Sequence, residues 1–405
     1  MMRLFYAITL TAMMALASSA ADWPQFLGPT RDSASSEQVM AWKDAPKVLW
    51  RQPVGDAHSS PVVANGVVYA FFKPKGKDAD MMTAYKAESG EKLWENSYKR
   101  EAFTPPFGAG PRGTPVVENG KVYTLGNTGV LVCWDAKSGD ILWKLETLKM
   151  FEAKNLFFGV STSPTLMGDH VVVMVGGKDA GIVAFEKATG KPGWHTSSDP
   201  ASYASPLSLG SGANQELIFL TGSHIRALDA TGKELWAFPF KDRLNESSTT
   251  PVKAGDLIIG SSVTAGSVAL SVKDNTPKEV WKDKQLTCYF STPVLVDKYL
   301  YMINGVASLT NASITLRCVE AATGQVKWSK PNIGKYHAAM IRTADNKLLM
   351  LDDAGNLLLL QPDPAGYQEL AKAKVCGATW AHPALSNGIV FVRDDKELIA
   401  VKLGE

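Results

Sequence analysis

The chain has 405 residues, with 42 Lys+Arg against 40 Asp+Glu and a formal net charge of +2. That near balance, without a dense Lys/Arg run, leaves no electrostatic footprint for nucleic acid. Four cysteines, none in CxxC spacing, are too few for a disulfide framework, so stability has to come from a core.

Residues 1–21 read as a secretory signal peptide: one cation at Arg3, an apolar run from Leu4 to Ala17, and a small-residue exit, Ser18-Ser19-Ala20-Ala21. The run is shorter than the roughly 20 residues of a spanning helix, and no cysteine stands at the cleavage site for lipidation. The mature chain is therefore expected in the periplasm or secreted, soluble, monomeric and without a membrane span. Residues 22–46 form an N-terminal extension, and 47–405 form one domain.

From there two phrases alternate. The first is a strand, a Thr/Ser-Gly turn and a strand with tryptophan, as in AYKAESGEKLWE (84–95), CWDAKSGDILWK (133–144), ALDATGKELWAF (227–238) and CVEAATGQVKWS (318–329). Trp94, Trp143, Trp194, Trp236, Trp281 and Trp328 follow at intervals of 49, 51, 42, 45 and 47 residues. Unit seven carries Leu370 near this place, which predicts a looser docking of that unit. The second phrase is Ser/Thr-Pro, an apolar stretch, a turn and another apolar stretch, as in SSPVVANGVVYAF (59–71) and STPVLVDKYLYMI (291–303). It occurs eight times, with weaker copies at 337–351 and 381–392. Asn65-Gly66 and Asn119-Gly120 are hairpin signals, and the glycine before each tryptophan strand can adopt a left-handed backbone. Apolar-polar alternation marks half-buried strands, and no segment of the mature chain keeps a helical period. Four short strands per unit of about 45 residues, repeated eight times, predict an all-β, eight-bladed β-propeller.

The eighth unit reaches the C-terminus after three strands. The segment 47–54, KVLWRQPV, supplies the missing strand and Trp50 the missing tryptophan, 44 residues before Trp94. The N-terminal strand is thus expected to complete the last blade and close the ring, leaving no free sheet edge between the first and last blades. The tryptophans are read as packing elements between neighbouring sheets. Cys133 and Cys318 occupy equivalent positions in units two and six, across the ring and beyond disulfide reach. Cys288 and Cys376 lie before units six and eight and are also non-adjacent, and four free thiols are expected.

The repeated A-x-D-A-x-T-G-K-x-x-W followed by S/T-P-V-V resembles the pyrroloquinoline-quinone (PQQ) repeat family of eight-bladed propellers. That family includes the quinoprotein alcohol dehydrogenases and the outer-membrane assembly lipoprotein B. The resemblance covers 47–405, and DWPQFLGPTRDS (22–33) is similar to the leader of exported PQQ-like propellers. It implies PQQ with calcium in the dehydrogenases. Yet this chain lacks their vicinal cysteine pair, a CxxCH haem motif and an identifiable Glu/Asn/Asp calcium set, and it lacks the lipobox cysteine of the assembly lipoprotein.

The innermost strands should line a central channel. Three residues before each proline stand His58, Arg112, Ser161, Tyr203, Ser248, Phe290, Tyr336 and Trp380. Period-two geometry places them on one face with the residue just before the proline, His382 in unit eight. The expectation is an arc of Phe290, Tyr336, Trp380 and His382, then His58, at one channel mouth, with Arg112 and Tyr203 alongside. Such an arc could stack a flat ligand or a sugar face, with Arg112 meeting a carboxylate. The alternative is that the rings pack under the loops. His58, His337 and His382 match no known metal-ligand spacing. The leading functional reading is a non-catalytic scaffold for an unidentified protein partner or small ligand, with no cofactor. The alternative is a small PQQ- and calcium-dependent dehydrogenase acting on an alcohol or sugar.

Overall fold

The computed structural model describes residues 21–306, 308 and 312–404. The leader, apart from Ala21, lies outside them. Eight four-stranded antiparallel sheets form the blades, spanning 62–99, 116–146, 165–196, 207–239, 252–283, 294–334 and 338–374, with the eighth shared between the termini. In that blade Lys47–Pro53 pairs with Glu397–Lys402, from Lys47 opposite Lys402 to Pro53 opposite Glu397. The ring therefore closes as the sequence predicts. Among the described residues, helix is confined to one turn at Thr147–Met150 and a 3-10 turn at Gly212–Asn214.

The tryptophan and glycine of the repeat meet across blades. Trp50 lies on Gly90, Trp94 on Gly139, Trp143 on Gly190, Trp194 on Gly232 and Trp281 on Gly324. A Cβ added at any of these glycines would stand 2.4–2.9 Å from the indole. Four of the indole N–H groups donate to a carbonyl of the same turn: Trp50 to Ala87 (2.9 Å), Trp94 to Ala136 (3.0 Å), Trp143 to Lys187 (3.1 Å) and Trp281 to Ala321 (2.9 Å). Glycine thus serves twice here, for its positive φ and for the flat bed it offers the ring. Gly139→Ala is expected to cost about 2 kcal/mol, from the left-handed backbone and the collision with Trp94. Gly120→Ala, at a similar φ but with nothing within 4 Å of the added Cβ, should lose only the backbone part. Equal losses for the two in urea unfolding would remove the indole from the argument.

Each outer strand carries a β-bulge one residue before the tryptophan. Trp94 pairs with Ala84 and Lys92 with Tyr85, skipping Leu93, and the same skip recurs in all eight blades. In blade seven the skipped residue is Leu370, 39% exposed, while Ala371 pairs with Leu359 in the tryptophan's place. Leu370, which the sequence places near the tryptophan position, stands one residue before it. Bulged edges resist strand addition, so the circumference is protected against sheet-to-sheet pairing.

The Ser/Thr-Pro phrase has a structural cause of its own. The hydroxyl before the proline accepts a backbone N–H from the preceding blade: His382 N to Ser60 (2.9 Å), Ser60 N to Thr114 (3.1 Å), Thr114 N to Ser163 (3.0 Å), Ser163 N to Ser205 (2.9 Å) and Thr250 N to Thr292 (3.1 Å). A belt of hydroxyls therefore ties the inner strands together around the axis, where a bare strand start would leave buried N–H groups unpaired.

Residues 22–39, which the repeat pattern leaves out, pack across the lower mouth, where the inner strands end. Trp23 and Val63 exchange two backbone hydrogen bonds of 2.9 Å, and Val117 N donates to Pro24 O. Arg31 Nε reaches Pro206 O at 3.2 Å, Arg342 N donates to Ser33 O at 2.7 Å, and the Glu37 carboxylate accepts from Asn387 N and Gly388 N. Five blades are thereby bridged by one segment. Leu27, Arg31 and Ser33 all hold left-handed φ. Such strain persists only where surrounding contacts over-determine it, and Trp23 and Leu27 are indeed 2% and 1% exposed.

Candidate functional site

The upper mouth, where the inner strands begin, gathers the residues picked by spacing. His58, Arg112, Tyr203, Phe290, Trp380 and His382 line one cavity of about 130 Å³, and Tyr336 stands behind it against Trp380. Trp380 is the hub. His58 stacks on it at 5.1 Å and 23°, Phe290 at 5.2 Å and 25°, and Tyr336 and Phe107 approach at 5.3 and 5.0 Å. Tyr289 continues the stack on Phe290 at 3.7 Å. The rings that a flat ligand would use are thus largely in contact with one another.

Phe107, Phe158 and Phe26 also line the cavity and were not legible as site residues. Phe107 sits in TPPFG, between the outer strand of blade one and the inner strand of blade two, with φ at +63°. Its carbonyl lies 2.5 Å from His58 Nε2. Arg112 Nη2 donates to Pro106 O and Gly108 O, and the Asp56 carboxylate accepts from Ala109 N and Gly110 N. Beneath the loop, Asp80 and Arg100 form a fully buried pair at 2.9 Å, and Arg100 also donates to Glu101 O and Ala109 O. The loop is therefore held in place by charge-assisted bonds on both sides of Phe107. Phe26 enters from below and meets His382 edge-on at 6.0 Å.

Arg112 takes a different part from the expected one. Its Nε donates to Phe158 O at 2.8 Å and its Nη2 to the Phe107 loop, so the guanidinium clamps two loops by their carbonyls. Burial lowers its pKa to about 10, which keeps it cationic near neutrality. The three imidazoles are neutral. Burial, with Arg112 next, brings His58 down to about 3; burial, then His382 and His58, brings His337 to about 3; burial brings His382 to about 4. His337, one residue out of the spacing, also lines the cavity: its Nδ1 lies 3.1 Å from Ser291 Oγ and its Nε2 is buried without a partner.

Among the described residues no carboxylate lines the cavity wall, and no three His, Cys, Asp or Glu converge as a metal site. Calcium takes six to eight oxygen ligands, mostly carboxylate and carbonyl, so this donor set does not fit it. Nor does a three-ring quinone fit a space that is close to a benzene-sized cavity of about 150 Å³. The four cysteines are free and buried, in four different blades or connections.

The architecture and the mouth define a PQQ-type eight-bladed propeller whose axial site is filled by its own side chains. The family described as outer membrane protein assembly factor BamB matches residues 77–330, and the chain belongs to that family. It is similar to the outer membrane protein assembly factor BamB of Burkholderia pseudomallei (strain K96243), 27% identical over 253 residues, 59% of this chain and 58% of that protein. It is also similar to the dehydrogenase subunit of the quinone alcohol dehydrogenase of Komagataeibacter europaeus, 29% identical over 144 residues, 33% of this chain but 19% of that protein. The chain thus spans under two thirds of either relative. Among solved structures, the quinohemoprotein alcohol dehydrogenase of Comamonas testosteroni superposes with a TM-score of 0.64 at 13% identity, covering 95% of this chain and 81% of that one. BamB of Moraxella catarrhalis gives 0.62 at 15%, covering 89% and 98%. At these identities the structural likeness speaks for the fold alone.

Proposed function

We propose that this chain is an exported, non-catalytic binding propeller of the assembly-factor kind, acting on a protein partner in the periplasm or beyond. The observation that carries this reading is the upper mouth: Trp380 is surrounded by four rings and no carboxylate lines the cavity. A dehydrogenase of the PQQ type needs a cation and an open stacking face there, and this mouth offers neither donor set nor room. Because every outer strand is bulged, contact with a partner falls to the propeller faces. The upper-face loops present Phe157 and Leu244, 68% and 48% exposed. Large apolar side chains in the open are the material of a protein contact.

The test is calorimetric titration of the mature protein with PQQ, with and without calcium. No heat in either titration is the expected result. Micromolar binding that requires calcium, together with dye-linked oxidation of an alcohol or sugar, would overturn the reading in favour of a small quinoprotein dehydrogenase.

A further inference from the structure

The hydroxyl belt leaves protons unspent. Ser60, Thr114, Ser163, Ser205 and Thr292 each accept a backbone N–H. Among the described residues, none of the five donates its own O–H to another protein atom. A hydroxyl offers one donor and two lone pairs, so each keeps a donor, and all five line the cavity. The acceptor side is poor: no carboxylate lines the wall, and the nearby carbonyls of Phe107 and Phe158 already receive His58 and Arg112. His337 Nε2, in a residue 6% exposed, adds one more buried polar atom without a partner. One guanidinium, the half-buried Arg112, lines the cavity at its rim, and two buried ones lie outside its wall: Arg31 below, and Arg393 near enough to His58 to act on its ring. None of them has a carboxylate within ion-pair distance among the described residues; Asp56 acts on Arg112, and Asp56, Asp394 and Asp395 on Arg393, through space only. The guanidiniums bond to carbonyl oxygens and the Gln25 amide.

A recessed space with several free hydroxyl donors, one guanidinium at its rim and few acceptors favours negative charge. We propose that the upper channel cavity is a small-anion site, and that it takes a carboxylate no larger than a single ring. The belt hydroxyls would bond the carboxylate oxygens, and the faces toward Phe290 and Trp380 would cover the apolar part. About 130 Å³ admits one ring and excludes a fused system while Phe107 stays in place. This inference stands apart from the reading above, since it concerns a ligand with no redox role and needs no calcium.

The experiment titrates the mature protein with benzoate and with its neutral isostere benzamide, following the melting temperature and tryptophan fluorescence. Benzoate is expected to bind at least tenfold more tightly than benzamide. Ser163→Ala removes one donor and should weaken benzoate about tenfold. That substitution also removes the acceptor for Thr114 N, so a second variant guards against a folding defect. Phe107→Ala leaves the belt untouched and should newly admit 2-naphthoate, which the parent protein refuses. Equal responses to benzoate and benzamide, or no response in either the parent or Phe107→Ala, would overturn the proposal. So would naphthoate binding to both proteins alike.

Discussion

Trp50→Ala is expected to lower stability by about 3–5 kcal/mol, the range for removing a buried large aromatic. Trp50 is 8% exposed and belongs to the one strand that joins the two ends of the chain. It lies on Gly90 and donates to Ala87 O in blade one, with Tyr85 at 6.2 Å, and it meets Phe391 of its own blade at 5.9 Å. Losing the indole therefore loosens both the blade-to-blade contact and the seam between termini. The pairing it secures links residues some 350 apart in the chain, and the loop-closure entropy of so distant a contact has to be offset by local packing. Urea unfolding of Trp50→Ala should show a lower midpoint with an unchanged slope. A loss below about 1 kcal/mol would mean that the backbone ladder closes the ring without the ring stack.

Mild acid is expected to destabilise the fold by about 3 kcal/mol between pH 7.5 and 5.5. His337 and His382 are 6% and 9% exposed, and burial holds them neutral down to about 3 and about 4 against 6.5 for a free imidazole. The unfolded chain takes up these protons below about pH 6.5, and the folded chain cannot until the pH is far lower. Stability is therefore whole above 6.5 and falls as the pH drops, by about 1.4 kcal/mol per pH unit for each histidine. His58 shifts in the same direction but is partly exposed at the rim, so its share is smaller. The carboxylates held below their ordinary range by hydrogen bonds, such as Asp199 and Asp242, act at still lower pH, whereas Asp80, Glu246 and Asp395, raised by burial, oppose the histidines as the pH falls. The double variant His337→Gln/His382→Gln should flatten the profile. A flat profile in the parent protein would show that protons reach these rings within the fold.

Both expectations draw on features of unequal legibility. The spacing of Trp94, Trp143, Trp194, Trp236, Trp281 and Trp328 pointed to eight blades, and counting back one period led to Trp50 and the seam. Residue spacing also brought His58, Arg112, Tyr203, Phe290, Trp380 and His382 to one mouth, because strands alternate strictly and the proline marks the same register in each blade. In blade seven counting reached only the neighbourhood of the tryptophan's place, Leu370 beside Ala371, because no tryptophan marks it there. It also could not assign Arg112 its partners, which are carbonyls of two loops whose path depends on Asp56, Asp80 and Arg100. The role of 22–39 was illegible too: its contacts go to five blades, and none of them repeats.

The sequence by itself determined the number of blades, the seam between the termini and the level of the channel where aromatic and imidazole groups collect. Those follow from periodic local rules: a side-chain period of two, a turn every few residues, one indole and one hydroxyl per unit. The tertiary structure alone decided what fills the channel. Phe107 from above and Phe26 with Arg31 from below enter it from segments outside the repeat. Their positions depend on sums of non-local hydrogen bonds and left-handed turns, which composition and spacing do not encode. Whether the rings at the mouth stay open for a flat cofactor or close on one another is decided by those same segments, because the space that remains is what their side chains leave.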